Sequence, residues 1–198
     1  MTQVWYMTWQ QALSQSEQQR LCALLPPQRR ERWERTKDPT QRTQVLCAYG
    51  LLHLALRVSA GLETLPAIAL GEQGKPYFPD LPDLHFSLSH TDGAALVGVS
   101  DAPIGVDIEK YRPLPPRVRK LLGEDLSETE ALFRWTALEA HAKRTGKGVG
   151  AFLHGNTDLP PECTELHLAQ AYAAGIACAG EFTVHTCTIK DTACQKVF

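Results

Sequence analysis

Asp107 and Glu109 stand two residues apart in the run PIGVDIE. Alternation along a strand sends Ile104, Val106 and Ile108 to one face, and Gly105, Asp107 and Glu109 to the other. Two carboxylates on one strand face repel each other, so the pair belongs at a solvated strand end or around a cation. A hard divalent ion such as Mg²⁺ takes oxygen ligands and keeps several waters, so two side chains are platform enough. Ser89 and His90 lie upstream at the end of FSLSH. His90 reads either as a satisfied structural histidine or as a group that holds a phosphate. Downstream, Trp135, Glu139 and Lys143 recur at i, i+4 spacing and form one helical stripe. Glu ahead of Lys at that spacing makes a surface ion pair of about 0.3–0.5 kcal/mol, yet Trp135 on the same stripe argues against full solvation. Arg29 and Arg32 share a face at i, i+3 in the basic stretch QRRERWERTK, a solvated helix face or a phosphate-facing patch. Lys75 precedes Pro76 in a Gly-Lys-Pro turn, which constrains the backbone it projects from. Glu139 could supply a third oxygen to a metal on Asp107 and Glu109. The set suits Mg²⁺-assisted displacement at a phosphorus, in which the metal neutralises a pyrophosphate, a carboxylate takes a proton and a lysine stabilises the leaving phosphate.

The elements that must position these residues follow from caps and periodicity. Residues 3–9 suit an opening strand. Residues 14–25 suit a helix with Ser14 and Glu17 as a capping box, ended by Pro26-Pro27. Asp38-Pro39 caps a core helix over 40–58, where Val45, Leu46, Tyr49, Leu52 and Leu56 recur at three and four. A short strand near 67–70 precedes the turn-rich GEQGKPYFPDLPD. HFSLSH and AALVGVS form a hairpin about Thr91-Asp92-Gly93. The run KYRPLPPRVRK carries five cations and no acid between three prolines, an ordered linker whose basic surface suits an acidic partner. Ser127 and Glu130 start a second long helix over 127–145, stopped by Gly146. Strands are expected in LHLAQAYAAGIACAG and FTVHTCTI. A weak echo, 86–100 against 166–180 at a shift of 80, suggests two similar halves about a pseudo-twofold with a cleft between them.

The chain has 198 residues, 43% hydrophobic and 21% charged, with a net charge of −2. That places it among globular chains and excludes a globally basic nucleic-acid binder. No apolar run is long enough to span a bilayer, and the N-terminal residues lack a secretory signal pattern. Cys22, Cys47, Cys163, Cys178, Cys187 and Cys194 show no metal-finger spacing and read as reduced thiols of a cytoplasmic protein. No nucleic acid and no membrane is expected as a partner.

G-K-P, F-S-L-S-H, G-V-D-I-E and W-x-x-x-E-A-x-x-K, in that order over residues 29–148, resemble the 4′-phosphopantetheinyl transferases. The nearest likeness is to the single-chain, two-lobed type that activates surfactin synthetase. The resemblance implies an α+β fold of two pseudo-symmetric lobes, 1–109 and 110–198, each a small antiparallel sheet with a long helix, with the active site in the cleft. It implies transfer of the phosphopantetheine arm of coenzyme A to a serine of an acidic apo carrier protein, acyl or peptidyl, with release of adenosine 3′,5′-bisphosphate. By that likeness Asp107, Glu109 and Glu139 bind Mg²⁺. Glu139 helps deprotonate the serine, and Lys143 stabilises the pyrophosphate and leaving group. Arg29, Arg32, Thr43, Lys75, Ser89 and His90 contact coenzyme A. An intramolecular pseudodimer makes a monomer the expected state.

Two positions depart from the family pattern. Ser87 stands for the usual Asn of F-N-[IL]-S-H, and Leu138 for the lysine of W-x-x-K-E. Loss of a lysine beside a pyrophosphate raises an alternative, a degenerate paralogue that binds coenzyme A or a carrier without transfer. On that view Leu138→Lys should raise activity. A generic Mg²⁺-dependent phosphoesterase is a further alternative, which needs no carrier.

Overall fold

The computed structural model describes residues 1–71, 73–123, 125–152, 159–169 and 171–193. Cys194 lies outside them. Strand β1 (Thr2–Thr8) is followed by helices α1 (Gln15–Ala23), α2 (Pro27–Arg35) and α3 (Pro39–Ala60). Two short strands, β2 (Ala69–Leu70) and β3 (Pro76–Tyr77), pair with each other. The hairpin β4 (His85–Thr91) and β5 (Ala94–Ser100) leads into β6 (Gly105–Lys110). Then come α4 (Pro116–Leu122), α5 (Glu128–Thr145), a 3₁₀ turn at Val149–Phe152, the strands β7 (Cys163–Ala169), β8 (Tyr172–Ala177) and β9 (Phe182–Cys187), and α6 (Ile189–Ala193).

Helix boundaries sit where the caps place them. The N–H groups of Glu17 and Glu130 donate to the side chains of Ser14 and Ser127, and both capping boxes are complete. Asp38 accepts from the N–H of Thr40 at 2.8 Å, with Pro39 at the first helical position. Gly61 and Gly146 end α3 and α5 in the left-handed region, at φ 67° and 71°. The basic stretch expected as a linker contains α4, which starts at Pro116, where proline's missing N–H does no harm.

The strands form a four-stranded sheet in the order β4-β5-β1-β9 and a three-stranded sheet in the order β6-β8-β7. Helix α3 packs on the first sheet and α5 on the second. Alternation then buries both faces of β1 and β5. Trp5, Met7, Ala95, Val97 and Val99 face α3, whereas Val4, Tyr6, Ala94 and Leu96 meet Val106, Ile108 and Ile176 of the second sheet. The layers are therefore helix, sheet, sheet, helix.

Two details differ from the sequence reading. The expected boundary at 109/110 falls inside β6, which pairs with β8 of the second sheet, while β9 crosses back to pair in parallel with β1. The echo is also out of step: β4 meets β5 at Thr91↔Ala94 and β7 meets β8 at Ala169↔Tyr172, so corresponding hairpin positions lie 78 apart rather than 80. Beyond the register irregularity between Leu166 and Ala169 the correspondence becomes 77, so no part of the second hairpin matches the first at a shift of 80.

Helix α5 lies directly on the backbone of β6 and β8. A Cβ on Gly105 would fall on the carbonyl oxygen of Ala140, and one on Gly175 would come within 2.6 Å of the Ala137 backbone. Backbone atoms on both sides leave no flexible group to give way. Gly105→Ala is expected to destabilise the fold by about 3 kcal/mol or more, read as a lower denaturant midpoint with an unchanged slope.

Candidate active site

The strand alternation read from PIGVDIE holds. Val106 and Ile108 are fully buried between the sheets, and Asp107 projects from the opposite face of β6 toward α5. Asp107 is itself only 6% exposed. Its Oδ1 accepts from Ser89 Oγ at 2.8 Å and from Lys143 Nζ at 2.7 Å. Its Oδ2 is buried with no hydrogen-bond partner. The side chain thus joins three elements, β4, β6 and α5.

The expected Glu139–Lys143 surface pair is not what Lys143 forms. Its ammonium crosses from α5 to β6, because the close approach at Gly105 brings Asp107 within reach. Glu139 lies half-buried one turn earlier on the same stripe. Burial, then the charge of Asp107, hold its carboxyl above the usual range, Lys143 opposes them, and Glu109 adds a smaller upward push. Glu139 therefore feels both carboxylates of β6. Glu109 is paired with Arg112 at 3.2 Å. Among the described residues, no three His, Cys, Asp or Glu side chains gather into a metal-holding group.

Two cavities flank these residues. One, of about 320 Å³, is walled by Gly74, Lys75, Ser87, Glu139, Lys143 and Gly146. The other, of about 340 Å³, is walled by Arg29, Arg32, Trp33, Gln41, Gln44 and His90. The arginines and His90 expected to meet a phosphorylated ligand are thus together, in a basic hollow between α2, α3 and the end of β4. Arg29 lies over the Tyr49 ring at 5.6 Å, and Arg42 over Trp33 at 3.9 Å. Thr43 is half-buried on α3 and does not line that hollow. Gln41 and Gln44 do, on the first turns of α3, and the sequence reading missed them. Residues 40–44 of α3, Thr-Gln-Arg-Thr-Gln, are all polar, so polarity alone did not single these two out.

Burial, then the Arg29 guanidinium and the Lys143 ammonium, push the His90 ring down to about 4. Its Nδ1 is buried without a hydrogen-bond partner. Lys75 sits apart from the arginines. Its Nζ donates to the carbonyl oxygens of Arg144 at 2.6 Å and Ile104 at 3.4 Å. Ser87 accepts the N–H of Val106 at 3.1 Å, a contact that joins the two sheets beside the site.

Leu138 has a structural explanation. It is 1% exposed, in a core cluster with Leu114, Leu122, Leu132, Phe133 and Ala173, and points away from Glu139's side of α5. The expectation that a lysine here would raise activity gives way to its opposite.

No family model matches the chain. It is 30% identical over 150 residues to the 4′-phosphopantetheinyl transferase Sfp of Bacillus subtilis strain 168, covering 69% of this chain and 67% of that protein. A second 4′-phosphopantetheinyl transferase of Bacillus subtilis is 32% identical over 152 residues, with the same coverage of both chains. The 4′-phosphopantetheinyl transferase AcpT of Escherichia coli K12 is 41% identical over 94 residues, 46% of this chain and 43% of that protein. The chain belongs to the 4′-phosphopantetheinyl transferases. It is accordingly an enzyme, a transferase, and within a phosphopantetheinyl transferase the Asp107–Lys143–Glu139 cluster between two cavities is the candidate catalytic centre. Among the described residues no helix is long and apolar enough to cross a membrane.

Two outcomes follow for this transferase. Leu138→Lys buries an ammonium among leucines and is expected to destabilise by about 3 kcal/mol or more, seen as a lower melting temperature without any gain in activity. His90 should titrate near 4 by NMR instead of at the ordinary 6.5. With its pKa depressed on folding, the unfolded chain takes the proton first as pH falls. Its share of stability is complete above 6.5 and is lost as the pH falls through about 4. In His90→Gln the fall in stability between those values should be shallower.

Proposed function

We propose that the chain transfers the 4′-phosphopantetheine arm of coenzyme A to a serine of an apo acyl or peptidyl carrier protein, releasing adenosine 3′,5′-bisphosphate. The observation that carries this reading is the buried Asp107, which holds Lys143 at 2.7 Å beside the half-buried Glu139. The carrier's serine oxygen forms a bond to the phosphorus that bears pantetheine. The bond from that phosphorus to the bridging oxygen breaks, and the electron pair leaves with the bisphosphate. Glu139 accepts the serine proton, directly or through water, and its raised pKa makes it a better base than an exposed glutamate. Lys143, fixed by Asp107, offers its charge to the pyrophosphate and the leaving oxygen. Arg29, Arg32 and His90 hold phosphate groups in the basic hollow; Ser89 and Thr43, which do not line it, adjoin His90 and Gln44 in the chain. Arginine suits this by its forked geometry.

Mg²⁺ fits this donor set. Asp107 Oδ2 is buried and unpartnered, and Glu139 feels the excess negative charge of Asp107 and Glu109, a condition that a hard cation relieves. Asp107, Glu109 and Glu139 would hold it, and it would neutralise pyrophosphate charge when bound. Arg112 would then give up Glu109, an exchange open to a half-exposed side chain.

An acidic carrier would meet Arg117 and Lys120, both exposed on α4. Lys110 and Arg119 are already paired, with Asp92 at 2.7 Å and Glu128 at 3.4 Å. The shared connectivity of strand, long helix and hairpin in both sheets supports two pseudo-symmetric lobes within one monomer. The five described cysteines are all free thiols, which accords with a cytoplasmic setting.

Incubation with Mg²⁺, coenzyme A and a panel of apo carriers, followed by mass spectrometry of the carriers, tests the reading. At least one carrier should gain the phosphopantetheine mass. Nucleotide release with no carrier present would support a phosphoesterase instead, and coenzyme A binding with every carrier unmodified would support a non-catalytic binder. Glu139→Gln should lower transfer by about a hundredfold or more. Because the carboxyl's raised pKa means that stability is lost as pH rises through it, the neutral glutamine should melt no lower than wild type at pH 7. That separates lost chemistry from lost fold.

A further inference from the structure

We propose that Glu162 is a positioning residue: it grips α5 on the flank opposite Glu139 and Lys143, sets the roll of the helix over the sheet, and so aims those two side chains at Asp107. Neither Glu162 nor its partner Arg144 lines either of the two cavities beside the cluster. What they contribute to transfer therefore reaches a ligand through other side chains.

At about 3.6 residues per turn, the residues of α5 divide by direction. The backbone at Ala140 and Arg144 lies against Gly105, and the backbone at Ala137 against Gly175. Glu139 and Lys143 stand on one side of that line of contact, where they share a cavity wall with Ser87 and Leu88 of β4. His141 stands on the other side, at the start of β7. A helix resting on bare backbone along one line is fixed in distance, and its roll is fixed by a tie on each flank. The first tie is Lys143 to Asp107 at 2.7 Å. The second is Glu162, whose Oε1 meets Arg144 Nη1 at 3.0 Å and stands 3.4 Å from His141 Nδ1. Arg144 also donates from Nε to the carbonyl of Pro103 at 3.2 Å, so one guanidinium joins the entries of β6 and β7.

The carboxylate is held in place before β7 begins. The carbonyl of Glu162 accepts the N–H of Cys178 at 3.1 Å, and the N–H of Cys163 donates to the carbonyl of Pro160 at 2.8 Å. Glu162 is thereby fixed to the end of β8, the strand whose Gly175 receives α5. The side chains of Glu162 and Arg144 are 25% and 23% exposed, which shields the pair from the screening that weakens surface ion pairs. Burial holds the His141 ring below its usual range against the pull of Glu162. At neutral pH the charge that Glu162 meets is therefore the guanidinium's. A change of roll moves Glu139 and Lys143 together, because they lie on one stripe, and leaves the arginine hollow on α2 and α3 as it was. The signature belongs in turnover, not in binding.

The kinetic half of the test rests on the transferase reading. In the full-length protein, Glu162→Ala removes the acceptor, and Glu162→Gln restores an acceptor of the same length. Glu162→Ala is expected to lower kcat about tenfold while the KM for coenzyme A stays within about twofold. Glu162→Gln should recover most of that kcat. In a Lys143→Met background, Glu162→Ala should cost about threefold or less, because the cation it aims is gone. Amide exchange without ligand should quicken in residues 139–145 of Glu162→Ala, leave α3 unchanged, and return toward wild type in Glu162→Gln. Unaltered kcat, a raised KM at unaltered kcat, or a full tenfold loss in the Lys143→Met background would overturn the proposal. So would quickened exchange throughout α3, which marks a general loss of stability. Should wild type load no carrier, the transferase reading fails, and the exchange comparison still decides whether Glu162 holds α5.

Discussion

The contact of α5 with bare strand backbone at Gly105 and Gly175 is the constraint on which the rest depends. A helix held off a sheet by ordinary side chains stands too far from it for short polar groups on each to meet. Two glycines, one on β6 and one on β8, let α5 settle further. The consequence is electrostatic. Lys143 and Glu139 descend to the level of Asp107, and a 2.7 Å ion pair forms where sequence spacing would have put the lysine on its own helix neighbour. Helix α3 is buried by its leucines against the first sheet, and no ion pair crosses that interface among those described. The two long helices therefore do different work, one filling a core and one placing a charge cluster.

That cluster is not arranged for stability. Burying a carboxylate and an ammonium loses solvation that their attraction does not always return, and here a second carboxylate, Glu139, lies in the same field. Burial, then repulsion from Asp107, raise its pKa against the opposing charge of Lys143. Asp107 Oδ2 adds a buried oxygen with nothing to accept from. Surplus negative charge beside a hollow lined with arginines is a condition that folding alone gives no reason to keep. The proposed coenzyme A and Mg²⁺ would answer both signs at once.

Much of this was legible in the sequence because the signals were local. Ser14, Asp38 and Ser127 fix three helix starts through hydrogen bonds within one turn, and Asp92-Gly93 fixes the β4–β5 register. The D-x-E alternation and the Trp135–Glu139–Lys143 stripe were readable for the same reason. What was not readable depends on packing between distant segments. Nothing near β6 says that it pairs with β8, nor near β9 that it returns in parallel to β1, since each choice is made by the other sheet's exposed edge. Leu138 is the sharpest case. A motif comparison places a missing lysine there, whereas the fold places the side chain among Leu114, Leu122 and Phe133, where apolar character is what the position requires.

The seam between the sheets shows how the site can be precise without being rigidly continuous. Strands β4 and β6 come together with no backbone ladder between them. Hydroxyls on alternate residues of β4 take its place: Ser87 accepts from the N–H of Val106, Ser89 donates to Asp107, and Thr91 accepts from the N–H of Lys110 at 3.3 Å. Period-two geometry puts all three on one side of the strand, so the motif S-x-S-x-T is the seam itself. An asparagine at Ser87 would carry the same acceptor on a longer arm, which makes the shorter hydroxyl a closer joint instead of a lost ligand. The serine that fixes Asp107 thus belongs to a row whose first duty is to hold two sheets in register, and the orientation of the Asp107 carboxylate follows from that duty.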